Sequence, residues 1–136
     1  DFVYAVAFGP KGDWYATASK DRTGRVVDAA TGQSRATLSG NNDELLAVAV
    51  TPAGQVVTSG AEPGFSYWDP ATAERVKKQG GHAKTVTELA YGGAGLMASA
   101  GYDNLVRLWP SGGGNLSALA VPGVPFAVAV DAAGRR

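Results

Sequence analysis

The sequence predicts an all-β chain of short antiparallel strands arranged in repeated four-stranded units. Three observations carry that prediction. The chain resembles itself with a period of about 41 residues. Its apolar residues come in short runs separated by Gly, Pro, Asp and Asn, and Gly alone is 19 of 136 residues, about twice the usual share. No 12-residue window holds an apolar stripe at helical spacing.

The repeat is read from three anchors. Ala5-Val6-Ala7-Phe8-Gly9-Pro10-Lys11-Gly12 aligns with Ala47-Val48-Ala49-Val50-Thr51-Pro52-Ala53-Gly54, then with the segments ending at Gly95 and Gly134. The closing glycines at 12, 54, 95 and 134 are 42, 41 and 39 residues apart. Val27-Asp28, Trp68-Asp69 and Trp109-Pro110 recur every 41 residues. So do Ala16-Thr17-Ala18-Ser19, Val57-Thr58-Ser59-Gly60 and Ala98-Ser99-Ala100-Gly101.

Each unit then resolves into strands. In the first, Tyr4 to Phe8 runs into the turn Pro10-Lys11-Gly12-Asp13, and Trp14 to Ser19 follows. Arg25-Val26-Val27 is a third strand, ended by Thr31-Gly32, and Arg35 to Leu38 is a fourth. Phe65 to Trp68 is the matching third strand of the second unit. The turn residues fix φ or tolerate positive φ, and so stop each strand. Four short strands per repeat at even spacing predict the blades of a β-propeller. Three blades are expected at about 2–40, 43–80 and 84–121, with the first strand of a fourth at 124–130. The expectation is therefore a partial propeller, three four-stranded blades plus one extra strand, and a piece of a longer chain or a unit completed by a second copy.

The third unit carries Gly81-His82, Val86 to Tyr91, Leu96 to Asp103 and Leu105 to Trp109. These residues resemble the WD-repeat β-propeller family. Its pattern is a Gly-His pair, an Asp in the turn between the second and third strands, and Trp-Asp closing the third. Here Trp-Asp has become Trp-Pro. The second unit keeps Trp68-Asp69 but has Gly40-Asn41 and Glu62 at the other two places. The first keeps Asp21 and Asp28, with Val27 for the Trp. The resemblance implies a hydrogen-bonded structural set of His82, Ser99, Asp103 and Trp109, complete in the third repeat only. The first two repeats are then expected to be the less rigid part.

Composition narrows the chemistry. Lys plus Arg and Asp plus Glu are 12 each, without the basic excess of a duplex-DNA binder. The absence of Cys excludes disulfides, Cys-ligated zinc and a thiol nucleophile within this chain. A single His leaves no second imidazole for a metal. No metal or cofactor is expected, and no membrane segment. Templates for metalloproteases, phosphate-binding loops and serine hydrolases are missing. A triad reading of Ser99, His82 and Asp103 gives way to the structural set, because a triad needs an exposed nucleophile. Arg75-Val76-Lys77-Lys78 is the only basic cluster and reads as an outer strand guarded by Lys. Gly112-Gly113-Gly114 reads as a loop, and Asn115-Leu116-Ser117 matches a glycosylation sequon.

The resemblance implies a non-catalytic scaffold for protein–protein interaction. Partners dock in the family near the channel, beside the turn acid and at the start of the first strand. The matching candidates are Tyr102, Lys20, Lys84 and Glu44, joined by Ala61 and Thr85. A protein or peptide partner is expected, with self-association as a second route to closure. The alternative is an accessory propeller of a larger bacterial enzyme, linked to a kinase or a periplasmic oxidoreductase, whose chemistry lies outside this chain. The cytoplasm is favoured over the periplasm.

Overall fold

A computed structural model describes residues 1–93, 95–110 and 117–130. The glycine triplet at 112–114 and the first two sequon positions lie outside the described residues. Among those described, the secondary structure is all strand and turn, with no helix long and apolar enough to cross a membrane.

Three antiparallel sheets of four strands follow one another along the chain. Blade 1 is β1 (Val3–Phe8), β2 (Trp14–Ser19), β3 (Gly24–Asp28) and β4 (Ser34–Leu38). Blade 2 is β5 (Leu45–Val50), β6 (Val56–Gly60), β7 (Phe65–Trp68) and β8 (Arg75–Gln79). Blade 3 is β9 (Val86–Tyr91), β10 (Met97–Gly101), β11 (Leu105–Trp109) and β12 (Ser117–Ala120). Within each blade the strands pair in sequence order, as hairpin connections require. Each first strand carries a register shift against its neighbour: near Val3/Ala5, Leu45/Ala47 and Ala100/Gly101.

The turns explain why the strands stop where they do. Gly12 and Gly54 hold φ of 72° and 88°, and donate to Gly9 and Thr51 carbonyls at 2.9 and 2.8 Å. Asp28 and Asp69 close the third strands by accepting from the backbone two and three residues on: Ala30 and Thr31 at 3.0 and 2.8 Å, Ala71 and Thr72 at 2.8 and 3.4 Å. This is an Asx turn, and it leads the chain to a left-handed residue, Gly32 in blade 1 and Ala73 in blade 2.

The core lies between blades rather than within one. Ala16, Ala18, Val26 and Leu38 of blade 1 meet Leu45, Val48, Val56 and Trp68 of blade 2. Ala47, Ala49, Val57 and Phe65 of blade 2 meet Val86, Leu89, Met97 and Trp109 of blade 3. Strand β5 accordingly sits beside both β1 and β9. The outer strands β4, β8 and β12 are mostly exposed.

The arc is open. Val6 is 58% exposed, while Val48 and Leu89, its equivalents one and two repeats on, are each 4% exposed. Val3 and Phe8 are bare beside it. At the other end, residues 124–130 form no strand, where the sequence predicts the first strand of a fourth blade. A strand needs a ladder partner, and the described residues supply none there. The segment is instead tied to blade 3: Thr87 Oγ1 donates to the Pro125 carbonyl at 2.7 Å, and Val128 and Val130 line an apolar hollow with Leu96, Val106 and Leu108.

Candidate functional site

The four residues singled out in the third repeat come together. Trp109 sits at the end of β11 and Ser99 in the middle of β10, two positions across the sheet, so the indole Nε1 donates to Ser99 Oγ at 2.8 Å. His82 precedes β9, and its Nε2 lies 2.6 Å from Ser99 Oγ. Its Nδ1 lies 2.9 Å from Asp103 Oδ1, in the turn between β10 and β11. Asp103 Oδ2 also accepts from the Ala83 backbone at 3.0 Å.

The partners fix the proton positions. Asp103 is an acceptor, so Nδ1 carries the imidazole hydrogen; Nε2 is then the acceptor for the Ser99 hydroxyl. One directed chain runs from the Trp109 N–H through the Ser99 O–H to His82, and a second bond runs from His82 to Asp103. Burial pushes the Asp103 carboxyl up, but bonds from His82 and the Ala83 and Leu105 backbones outweigh it and hold it below its usual value. Ser99 is fully buried, so the Ser-His-Asp trio meets no substrate in this arrangement.

Two glycines make room for this, and the motif alone does not reveal their reason. A Cβ at Gly81 would run into the Trp109 ring, and Gly81 holds φ of 148°. A Cβ at Gly101 would lie 2.6 Å from His82 Nδ1.

Blade 2 keeps half of the arrangement. Trp68 Nε1 donates to Thr58 Oγ1 at 2.8 Å. Asn41, at the His position, turns to the neighbouring blade: its amide donates to Arg22 and Leu38 carbonyls at 2.9 and 3.3 Å, and its oxygen accepts from Arg75 at 3.1 Å. Glu62 accepts from Lys78 at 3.0 Å and Asn42 at 2.6 Å, and these bonds, Lys78 first, hold its carboxyl below the usual value.

The turn itself explains the change. Arg22 and Asn104 take φ of 68° and 61° at equivalent positions and donate back to Ser19 and Gly101. Blade 2 has Pro63 there. Proline fixes φ near −65° and has no N–H, so neither feature can form. The left-handed residue moves to Gly64, at φ of 91°, and Pro63 bridges to Thr85. Pro63 was legible as a breaker, since it occupies the position of Arg22 and Asn104.

The partner-binding candidates are spread over all three blades, at the turn between the second and third strands or at the start of the first. Lys20, Ala61 and Tyr102 share a turn position, and each backbone N–H donates to the residue before the first strand: to Phe2, Glu44 and Thr85 at 2.9, 3.2 and 2.9 Å. Tyr102 is 40% exposed and packs edge-on against Phe126, which is 68% exposed, with ring centroids 6.1 Å apart. Lys20 lies over the Phe2 ring, Glu44 meets Tyr4 at 3.4 Å, and Lys84 is exposed. Phe126 escapes sequence reasoning because it sits in the fourth repeat and reaches Tyr102 only through the path of residues 121–126. The basic cluster lies on the outer strand β8 and is engaged locally, with Arg75 over Trp68, Lys77 over Tyr67 and Lys78 on Glu62. Among the described residues no group of three metal-ligating side chains gathers.

A family model, WD domain, G-beta repeat, matches residues 1–28 and 73–110. Over these stretches the chain is similar to WD repeats, and its repeated four-stranded antiparallel sheets are consistent with WD-repeat blades. The matched stretches take in β1 to β3 and β8 to β11. The stretch between them holds Asn41, Glu62 and Pro63, where the second repeat departs from its neighbours. No curated protein matches the chain.

Proposed function

We propose that this chain is a non-catalytic interaction scaffold that binds a protein or peptide segment at the end of the arc carrying Tyr102. WD repeats in general mediate protein–protein interaction and are typically non-catalytic. The observation that carries the finer reading is the exposed aromatic pair Tyr102–Phe126, flanked by Lys84 and by Val124, which is 38% exposed. Tyr offers apolar area with a hydroxyl and loses little entropy on ordering, and aromatic anchors dominate binding surfaces. His82, Ser99, Asp103 and Trp109 serve this reading as the rigid support beneath the turn that presents Tyr102.

The test is a peptide selected against the wild-type chain from a display library. Tyr102→Ala and Phe126→Ala should each weaken its binding at least tenfold, about the loss of one hot-spot residue. Val76→Ala, on the exposed outer strand, should leave it unchanged. Equal losses at all three positions would sink the proposed site.

The bare apolar face of β1 supports a second element of the reading. We propose that a further blade covers it, from the same polypeptide or from a second copy. Light scattering that finds this chain as a folded monomer, with a face that binds no apolar dye, would rule that out.

A further inference from the structure

Trp68 and Trp109 each donate to a buried hydroxyl, but only one of those hydroxyls passes its own hydrogen on to a side chain. Ser99 gives it to His82. Thr58 is 1% exposed, accepts from Trp68, and finds no acceptor for its hydrogen among the described residues. A buried hydroxyl hydrogen without a partner is costly, and buried polar groups are nearly always satisfied by protein or by water.

The space beside Thr58 is a partly open pocket that admits water over about 20 Å³, bordered among others by Asn41, Asp43, Glu44, Glu62, Ser66 and Lys78. Roughly 10–15 Å³ measured in this way admits one water molecule. The space therefore suits one water and is too small for a ring such as the imidazole that fills the equivalent place in blade 3. Chemistry decides further. A cation cannot accept the Thr58 hydroxyl hydrogen, and the carboxylates of Asp43, Glu44 and Glu62, which border the space together with Lys78, disfavour an anion. A small neutral molecule that both donates and accepts is what remains.

We propose that blade 2 binds one internal water at Thr58. It accepts the Thr58 hydroxyl hydrogen and donates to the oxygens that border the cavity, those of Asn41 and Glu62 among them. This water does for Thr58 what His82 does for Ser99. The WD network is then complete in blade 2 by a solvent molecule, and the second repeat tolerates Asn at the His position because of it.

The experiment is a crystal structure of the wild-type protein at a resolution that orders internal waters, with a second of Thr58→Val. The proposal expects a single full-occupancy water roughly 2.6–3.2 Å from Thr58 Oγ1 in the wild type. A dry cavity would overturn it, as would an Asn41 side chain turned onto Thr58. Should Thr58→Val crystallise, the water should be gone; a water that persists there would also overturn the proposal. In solution, oxygen-17 relaxation dispersion of the wild type and Thr58→Val should differ by one long-lived water. Equal amplitudes would overturn it.

Discussion

Blades 2 and 3 bury the same tryptophan on the same hydroxyl, and beyond that bond they diverge. Blade 3 continues inward, through His82 to Asp103, with the imidazole fully buried and the carboxylate 7% exposed. Blade 2 turns outward, so that Asn41 holds the neighbouring blade and Glu62 holds Lys78 at the surface, with side chains 37% and 51% exposed. The difference begins at the backbone. Where Asn104 adopts a left-handed turn, Pro63 cannot, and the carboxylate that a left-handed turn aims at the His position is aimed elsewhere. A repeat can thus lose its polar relay and keep its tryptophan, because the core that Trp68 shares with Ala16, Ala18, Val26 and Leu38 of blade 1 does not depend on the relay.

Removing the residue at the His position is the strongest way to break this comparison. His82→Ala strips the hydrogen bonds from Ser99 and from a nearly buried carboxylate, and opens a cavity beside Trp109. The expected loss is about 3 kcal/mol, since bonds to charged groups contribute roughly 1.5–3 kcal/mol and unsatisfied buried groups add to that. Asn41→Ala removes bonds at a half-exposed place and should cost about 1 kcal/mol or less. Urea denaturation of the two variants measures both. Equal losses would mean that the relay adds no more than an ordinary loop contact.

The same pair of blades gives a backbone test of intermediate size. Gly81→Ala forces a methyl into the Trp109 ring, and overpacking of this kind costs about 1–3 kcal/mol before any strain from positive φ. Gly40→Ala meets nothing within 4 Å and bears only the strain of φ at 86°, about 1 kcal/mol. Thermal melts should rank them in that order. The reverse order would show that the Gly-His pair is kept for loop conformation alone.

Acid should separate the blades as well. The Asp103 carboxyl is held below its usual 3.8 in the folded chain. Its contribution is therefore present above the unfolded value and is lost as pH falls through the lower folded value. Asp28 and Glu62 are also held low and titrate in the same direction. The difference between wild type and His82→Ala carries the Asp103 contribution, and it should narrow as pH falls below 3.8. A difference that stays constant down to complete acid unfolding would remove His82 as the cause.

Much of this was legible in the residues. Strand positions and the four-per-repeat count follow from a period that side-chain alternation and turn residues make visible, while the meeting of His82, Ser99, Asp103 and Trp109 was implied by the resemblance to WD repeats. The segment 124–130 shows the limit: its residues match β1, β5 and β9, yet a strand exists only where a partner supplies a ladder. Gly81 and Gly101 show another, since the need for a missing Cβ arises from rings contributed by distant positions. Tyr102 could be selected as an exposed aromatic, but its pairing with Phe126 depends on how the chain leaves β12. The role of Asp28 and Asp69 lay in plain view, as Asx turns, while Pro110 at the same position denies blade 3 that device.

The smallest effect tests the outward half of the comparison. Lys78→Met removes the ammonium from Glu62 and keeps the stem that lies along β8. Exposed ion pairs contribute roughly 0.2–1 kcal/mol, and charges this open to solvent are screened within about 10 Å at 0.1 M salt. The expected loss is thus about 0.5 kcal/mol at low ionic strength, falling toward zero in 1 M sodium chloride. His82→Ala should show no such decline, because the imidazole is fully buried and Asp103 nearly so. Denaturation of both variants at low and high salt reads the contrast directly. A Lys78→Met penalty that persists undiminished in 1 M salt would place that ion pair inside the same protected environment as His82, and the division between an inward blade 3 and an outward blade 2 would fail.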